Sequence, residues 1–302
     1  MYEQIARNRR RSALLILLVL ALAAGLGYVF GLLFQFGIGG IVIALAIAAV
    51  MAFSSYRFGD RVVLRVSRAR PADPEEHTRY HNIVEGLCIA AGIPKPDLYV
   101  IPEQAPNAFA TGRNPEHASV AVTEGLLETL NRVELEGVLA HELSHVKNRD
   151  ILVGTLVATL VGAVVLLSEF TRRSFFWGGM GRRRGGGRSG GGAVGAIILA
   201  VGLVLAILAP LGAQLIRMAV SRRREYLADA DGAMLTRYPP GLAAALRKIA
   251  QNTQPMAVTN NATAHLWLNK PSATPGHGFT RWERLFSTHP PIEERIQLLE
   301  TM

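Results

Sequence analysis

The chain has 302 residues, of which 50% are hydrophobic, and it combines a formal net charge of +9 with a mean hydropathy of +0.24. Its apolar residues fall into blocks, which is typical of membrane spans rather than of one large soluble core. Aromatic residues make up only 7% of the chain and no nucleic-acid-binding motif is present, so we expect no nucleic-acid partner despite the basic charge. The single cysteine, Cys88, excludes an internal disulfide framework.

Two hydrophobic runs, Ala13–Phe34 and Ile38–Phe53, predict a transmembrane hairpin within residues 1–56. The first run carries no charge and exceeds the ~20 residues that cross a bilayer as a helix. A cleavable signal peptide is the alternative, but the second run follows almost at once. Arginines flank both ends of the hairpin, so we expect both ends to face the cytoplasm. These arginines are Arg7, Arg9, Arg10 and Arg11 on one side and Arg57, Arg61, Arg65, Arg68 and Arg70 on the other.

Residues 57–150 are predicted to form the first part of a soluble domain of mixed α and β structure. Apolar spacing predicts a helix over Pro74–Ala91 and short strands at Leu98–Ile101 and Ser119–Val122. Asn131 is the predicted N-cap of a following helix. The Ser119–Val122 strand is a candidate edge to which an extended peptide could add.

Two further apolar runs, Ile151–Leu167 and Ala193–Ile216, predict a second hydrophobic hairpin over residues 151–216. A segment rich in Gly and Arg, residues 170–192, joins them and is interpreted as a solvated linker. If both runs span the bilayer, these arginines lie outside, against the positive-inside rule, so full spanning stays open. Residues 217–302 are predicted to complete the soluble domain with three helices. These are Ser221–Leu235, Pro240–Gln251 and Pro291–Leu299.

A His-Glu-x-x-His pattern begins at His141 and ends at His145. Residues four apart share one helical face, so both imidazoles can bind one metal ion, and zinc accepts such ligands readily. Glu142 can take a proton from the water that the metal activates. The alternative is a surface helix with solvated His and Glu side chains. We favour the metal because the motif lies within an apolar helical pattern.

A catalytic zinc site needs a third protein ligand, and Glu225 is the candidate. It lies four residues before Asp229, so both carboxylates share one helical face. In this interpretation Glu225 binds the metal and Asp229 orients His141 or His145. An ordinary acidic pair that balances the neighbouring arginines is the alternative that the spacing alone leaves open.

Four segments in this order resemble the HtpX-type membrane metalloproteases, relatives of the CAAX prenyl endopeptidases. They are residues 107–113, His141–Asp150, 224–232 and Ser287–Pro291 with Arg295 after it. The resemblance covers nearly the whole chain. It implies a mostly α integral membrane protein with four hydrophobic segments and a zincin-like α+β catalytic domain that contains a small sheet.

The resemblance also implies a role for each matching residue. His141, His145 and Glu225 correspond to the ligands of one Zn²⁺ per subunit, Glu142 to the general base and Asp229 to a residue that steadies the ligands. Three more residues correspond to the substrate side of the site: Asn107 to one that holds the substrate backbone, His289 to a catalytic residue near the scissile carbonyl, and Arg295 to one that supports this corner. From the sequence alone, Asn107 reads as a turn residue and His289 as a capping residue.

The resulting prediction is a zinc metalloendopeptidase in the quality control of misfolded membrane proteins. We expect it to be a multi-pass protein of the prokaryotic inner (plasma) membrane, with its catalytic domain in the cytoplasm. Its partners would be the lipid bilayer and unfolded or damaged membrane-protein substrates. The alternatives are a non-catalytic membrane scaffold stabilised by zinc and a zinc hydrolase of another amide or lipid. A second metal site at His77 and His81 is conceivable, but a solvated helix face is the favoured interpretation.

Overall fold

The computed structural model describes residues 37–159, 222–252, 254, 256, 266–268 and 290–302, with residues 6, 8, 10, 12–17, 20, 21, 24 and 28 near the N terminus. The predicted runs Ala13–Phe34 and Ile151–Leu167 are therefore described in part. The run Ala193–Ile216 and the Gly/Arg-rich segment lie outside the described residues.

The described part of the chain folds into helices around a small sheet. In chain order the elements are α1 (Ile38–Val66), β1 (Arg70–Pro71), α2 (Thr78–Ala91), β2 (Asp97–Ile101), β3 (Ala108–Asn114), β4 (His117–Thr123), α3 (Glu124–Thr129), α4 (Arg132–Lys147), α5 (Asp150–Thr159), α6 (Arg222–Thr236), α7 (Pro239–Gln251) and α8 (Ile292–Glu300).

Helix α1 is longer than the predicted run Ile38–Phe53, because it continues without a break to Val66. The boundary that we placed after residue 56 therefore lies inside a helix. Most of its large apolar side chains are exposed, while Val63 and Leu64 near its end are buried against the sheet. Within the described residues, Ile41–Val66 is the one helical stretch long and apolar enough to cross a membrane, judged by length and composition.

The sheet has four strands in the order β1-β2-β4-β3, with β2 parallel to β4 and the other pairs antiparallel. The predicted strand Ser119–Val122 is the centre of β4. Our expectation that this strand offers a free edge is wrong, since β2 and β3 pair with its two sides. The outer edge of the sheet belongs to β3, which the sequence analysis did not predict.

Both faces of the sheet are covered by apolar side chains. One face contacts α2 and α4, and the other contacts the end of α1 together with Trp267. Phe109 of β3 points to this second face and packs edge-on against Trp267, with ring centroids 4.9 Å apart. Strand β3 is also tied to α5, since the Thr155 hydroxyl accepts a hydrogen bond from the Gly112 amide at 3.1 Å. The sheet is thereby fixed between α4 on one face and the end of α1 on the other, with α5 against β3.

The chain does not run from α4 into α5 as one helix. We expected His145 and Ile151 to be ~9 Å apart on a continuous helix. Instead α4 ends at Lys147, and Arg149 adopts a left-handed conformation with φ 57° before α5 begins at Asp150. A left-handed residue other than Gly is uncommon and ends a helix sharply. Helix α5, at the start of the run Ile151–Leu167, therefore leaves α4 at an angle.

The described architecture is mostly helical with a small mixed sheet, as the sequence analysis predicted for the α+β part. The predicted helices Ser221–Leu235, Pro240–Gln251 and Pro291–Leu299 correspond to α6, α7 and α8, with boundaries that differ by at most one residue. The helix predicted to begin at Pro74 begins at Thr78, after a run of turn residues.

Candidate metal centre

Helix α4 carries the His-Glu-x-x-His motif and is capped as predicted. The Asn131 side chain accepts a hydrogen bond from the Glu134 amide, and the Glu134 carboxylate accepts one from the Asn131 amide, which completes a capping box. Apolar residues on several sides of α4 are fully buried, so the helix lies in the centre of the domain. His141 and His145 therefore project from a rigid helix on one face.

Helix α6 supplies the acidic side of the site and packs closely on α4. Glu225, Asp229 and Gly232 are separated by four and three residues, so all three lie on the face of α6 that meets α4. The approach is close at Gly232, where an added Cβ would lie 3.0 Å from the His141 backbone nitrogen. The missing side chain allows the two helices to bring their polar groups together.

The three predicted ligands converge. The Nε2 atoms of His141 and His145 are 3.3 Å apart, and the Glu225 carboxylate oxygens lie 3.8 Å and 3.6 Å from them. Zinc binds such atoms at about 2.0–2.1 Å, which in a tetrahedral shell corresponds to about 3.4 Å between two ligand atoms. Among the residues that the structure describes, this is the one His, Cys, Asp and Glu group with that proximity. His77 and His81, for which a solvated helix face was the favoured interpretation, belong to no such group among these residues.

Two carboxylates fix the orientation of the imidazole rings. Asp229 Oδ1 lies 2.9 Å from His141 Nδ1, and Asp150 Oδ2 lies 3.1 Å from His145 Nδ1. Each Nδ1 therefore donates its proton to a carboxylate, which leaves the Nε2 lone pairs of both rings facing the same gap. Two lone pairs at this separation repel unless a proton or a metal cation lies between them. The residues present thus fit a zinc ion.

The anionic surroundings favour positive charge at this point. Burial alone lowers the pKa of His145, but the hydrogen bond to Asp150 and the nearby carboxylates of Glu225 and Glu142 outweigh it and raise that pKa to about 9. Glu225 and Asp229 are both buried, so their charges are poorly screened by solvent. A bound metal ion would neutralise the negative charge of these carboxylates.

Arg295 of α8 is buried beneath the site and holds Asp229. Its Nε and Nη2 donate to the two Asp229 oxygens at 2.8 Å and 2.7 Å, and its Nη1 lies 3.9 Å from Glu225. Burial raises the pKa of Asp229, but the charge and hydrogen bonds of Arg295 outweigh this and lower that pKa to about 2. Asp229 therefore stays ionised beside His141.

A scan against protein-family models matches residues 74–302 to the description "Peptidase family M48". The chain belongs to peptidase family M48. Proteins named "Protease HtpX homolog" are similar over almost their whole length. The one from Thermoanaerobacter pseudethanolicus is 47% identical over 100% of this chain and 98% of its own. The one from Pyrococcus furiosus is 48% identical over 96% of this chain and 94% of its own.

Among solved structures, the "Crystal Structure of S. mikatae Ste24p" aligns with 99% of this chain and 67% of that chain, with a TM-score of 0.49 and 18% identity. Membership of family M48 confirms the predicted resemblance and identifies this chain as a metalloprotease. The metal that the family implies fits the cluster of His141, His145 and Glu225.

Glu142, the predicted base of this M48 member, lies on α4 between the two histidines and is 3% exposed. Burial raises the pKa of its carboxyl above the ordinary value, because it outweighs the opposing charges of His141 and His145. A carboxylate with a raised pKa takes up a proton more readily.

The remaining predicted residues differ in how the structure places them. Asn107 is buried directly before β3, where its side-chain Oδ1 accepts a hydrogen bond from the Ala108 amide at 3.1 Å and its backbone amide donates to the Thr123 hydroxyl at 2.9 Å. Arg295 contacts the carboxylates of Asp229 and Glu225, which is consistent with its predicted role of supporting this corner of the site. His289 lies outside the described residues. The sequence analysis missed the role of Asp150, which it treated only as the end of a motif.

Proposed function

We propose that this M48 metalloprotease is a membrane-bound zinc endopeptidase whose metal is held by His141, His145 and Glu225. The observation that carries the proposal is the convergence of these three side chains from two helices, with separations of 3.3–3.8 Å between ligand atoms. Three protein ligands leave the fourth position of a tetrahedral site open, as a catalytic zinc requires. A structural zinc site would instead be closed by four protein ligands.

The chemistry follows from the position of Glu142 beside this site. Zinc, when bound, polarises the scissile carbonyl and lowers the pKa of an attacking water to about 7. Glu142 accepts the proton of that water and passes it to the leaving amide nitrogen. Its burial excludes bulk solvent and favours the protonated form that the second transfer needs. Asp229 and Arg295 hold His141 in place throughout.

Strand β3 is the edge to which we propose that an extended substrate adds. It lies beside α4 and its outer side accepts a main-chain hydrogen bond, since the Leu268 amide donates to the Ala108 carbonyl at 3.0 Å. A substrate peptide that replaced this contact would run past α4. Asn107, directly before Ala108, would hold its backbone, and His289 would stabilise the negative charge that develops on the carbonyl oxygen.

We further propose that the protein is a multi-pass protein of the prokaryotic inner membrane, with the protease domain in the cytoplasm. The exposed apolar surface of α1 supports a bilayer contact, as do the basic residues that follow it. Because α1 and α5 pack on the sheet, the site would lie near the bilayer surface. That position suits cleavage of cytoplasmic segments of unfolded or damaged membrane proteins.

The decisive test compares Glu142→Gln with wild type, using casein and an unfolded membrane protein as substrates. We expect Glu142→Gln to bind zinc as wild type does and to lose cleavage by about 10²–10⁴-fold, the usual contribution of a general base. Glu136→Gln is the matched control, because it is the same change on α4 at a partly exposed position, and it should cleave normally. Equal cleavage by Glu142→Gln and wild type would rule out this mechanism.

Two further measurements separate the parts of the proposal. Glu225→Ala should lower the zinc stoichiometry of the purified protein, and unchanged stoichiometry would mean that another residue is the third ligand. For the quality-control role, a membrane protein with an unfolded cytoplasmic segment should be cleaved faster than the same protein when folded. Equal rates would argue against that role while leaving the chemistry intact.

A further inference from the structure

Asp150 contacts His145 because of the break between α4 and α5. On a continuous helix these residues, five positions apart, would be rotated by about 140° about the axis and could not face each other. The left-handed conformation of Arg149, with φ 57°, turns the chain so that Asp150 Oδ2 lies 3.1 Å from His145 Nδ1. The uncommon backbone conformation of Arg149 thus places the Asp150 carboxylate against the imidazole of His145.

The other oxygen of Asp150 is held by two distant parts of the chain. Asn8, from the segment that precedes the first hydrophobic run, donates its side-chain amide to Asp150 Oδ1 and also to the Asn148 carbonyl at 2.9 Å. Arg224, at the start of α6, places Nη1 3.4 Å from the same Asp150 oxygen. Asp150 and Asn8 are 8% and 4% exposed. A buried carboxylate with this many partners has a fixed position.

We propose that Asp150 is a positioning residue for the metal ligand His145, and that Asn8 extends this support to the N-terminal segment. The inference rests on the proposed function, in which His145 binds zinc. Asp150 fixes the tautomer and the ring plane of His145, as Asp229 does for His141, so each imidazole ligand has its own carboxylate. A segment that leads into the membrane anchor thereby contributes to the geometry of the metal site.

A purely structural role for Asp150 makes a different prediction. Asp150 begins α5, and a residue at a helix start can serve as a cap or interact with the helix dipole. Asn caps a helix as well as Asp does, so Asp150→Asn preserves the cap, although it gives up the interaction of a charge with the helix dipole, while it removes the negative charge beside His145. The substitution therefore separates support of the ligand from support of the helix.

The test measures zinc affinity of the full-length purified protein by competition with a chromophoric chelator. Wild type should bind zinc, Asp150→Asn should bind about tenfold more weakly, and Asp150→Ala about 100-fold more weakly, as is usual when the outer partner of a metal ligand is removed. Asn8→Ala should lose about threefold, since Asp150 keeps its contact with His145. Asp231→Asn is the matched control, because Asp231 contacts Asn148 and neither histidine is its partner, and its affinity should be unchanged.

Two accompanying readouts show whether the loss arises at the metal ligand. The visible absorption of the cobalt(II)-substituted protein should change in Asp150→Asn, while the circular dichroism of the folded zinc-free protein should match that of wild type. Wild-type affinity and an unchanged cobalt spectrum in Asp150→Asn would overturn the inference and leave the proposed function standing. Failure of wild type itself to bind zinc would overturn the proposed function instead.

Discussion

Substitution of Gly232 by Ala tests whether close packing of α6 on α4 sets the metal geometry. The new Cβ would lie 3.0 Å from the His141 backbone nitrogen and 3.2 Å from its Cα, both closer than an ordinary contact of 3.4–4 Å. Both neighbouring atoms belong to the backbone of a buried helix, so they cannot rotate away. We therefore expect α6 to retreat by at least about 0.4 Å at this point.

That displacement is large on the scale of zinc coordination. Metal–ligand distances hold to within about 0.2 Å, and Glu225 lies on the same face of α6 as Gly232, about two turns away. A retreating α6 moves Glu225 away from the two histidines and also draws Asp229 away from His141. We expect zinc affinity to fall by about tenfold, the lower end of the losses seen when support of a metal ligand is disturbed.

The assay is zinc competition with a chelator, run beside thermal unfolding, with Gly86→Ala as the control. Gly86 lies within α2 with no atom near its would-be Cβ, so Ala there should leave zinc affinity unchanged and raise stability by about 0.5–1 kcal/mol. Gly232→Ala gains the same helix propensity as Gly86→Ala. A loss of zinc affinity in Gly232→Ala alone therefore cannot be attributed to a change in helix propensity. Wild-type zinc affinity in Gly232→Ala would refute the argument that this contact positions the ligands.

Three other predictions concern the support of the site and its surroundings. Replacing Arg295 by Met should destabilise the protein by about 3–5 kcal/mol, because it leaves the buried Asp229 carboxylate without its cation; denaturant unfolding measures this, and a loss below about 1 kcal/mol would mean that Asp229 is held by other groups. Replacing Asn131 by Ala should cost about 1 kcal/mol without changing zinc affinity, since it removes the cap of α4 but no ligand contact; an altered zinc affinity would contradict this separation. The Cys88 thiol should react slowly with iodoacetamide at pH 8 in the native protein and quickly after unfolding, because burial raises its pKa to about 11; equal rates would contradict its buried position.

The features of α4 that local sequence determines, its helical conformation and its N-cap, were predicted correctly. Asn131 caps α4 with a residue three positions away, and the motif from His141 to His145 depends only on helical periodicity. These features need no information about distant parts of the chain. The pairing of Asp229 with one of the histidines was also predicted, because both acidic residues of α6 share one face; the structure identifies that partner as His141.

The features that were missed depend on tertiary context. Strand β3 contains Ala, Thr and Gly rather than a run of β-branched residues, so its pairing with β4 decides its conformation. Arg149 is left-handed although it is not Gly, and nothing in its neighbours signals this. The contact of Asp150 with His145 follows from that turn, and the sequence separation of five residues argues against it on a regular helix.

The proposed ligands of the metal come from α4 and α6, which lie on opposite sides of the second hydrophobic stretch in the sequence. During synthesis the two histidines leave the ribosome well before Glu225 does. A nascent chain therefore has two imidazoles but lacks the carboxylate that completes the shell, and it binds zinc weakly. The proposed metal site can therefore be completed only after the intervening segment has been made.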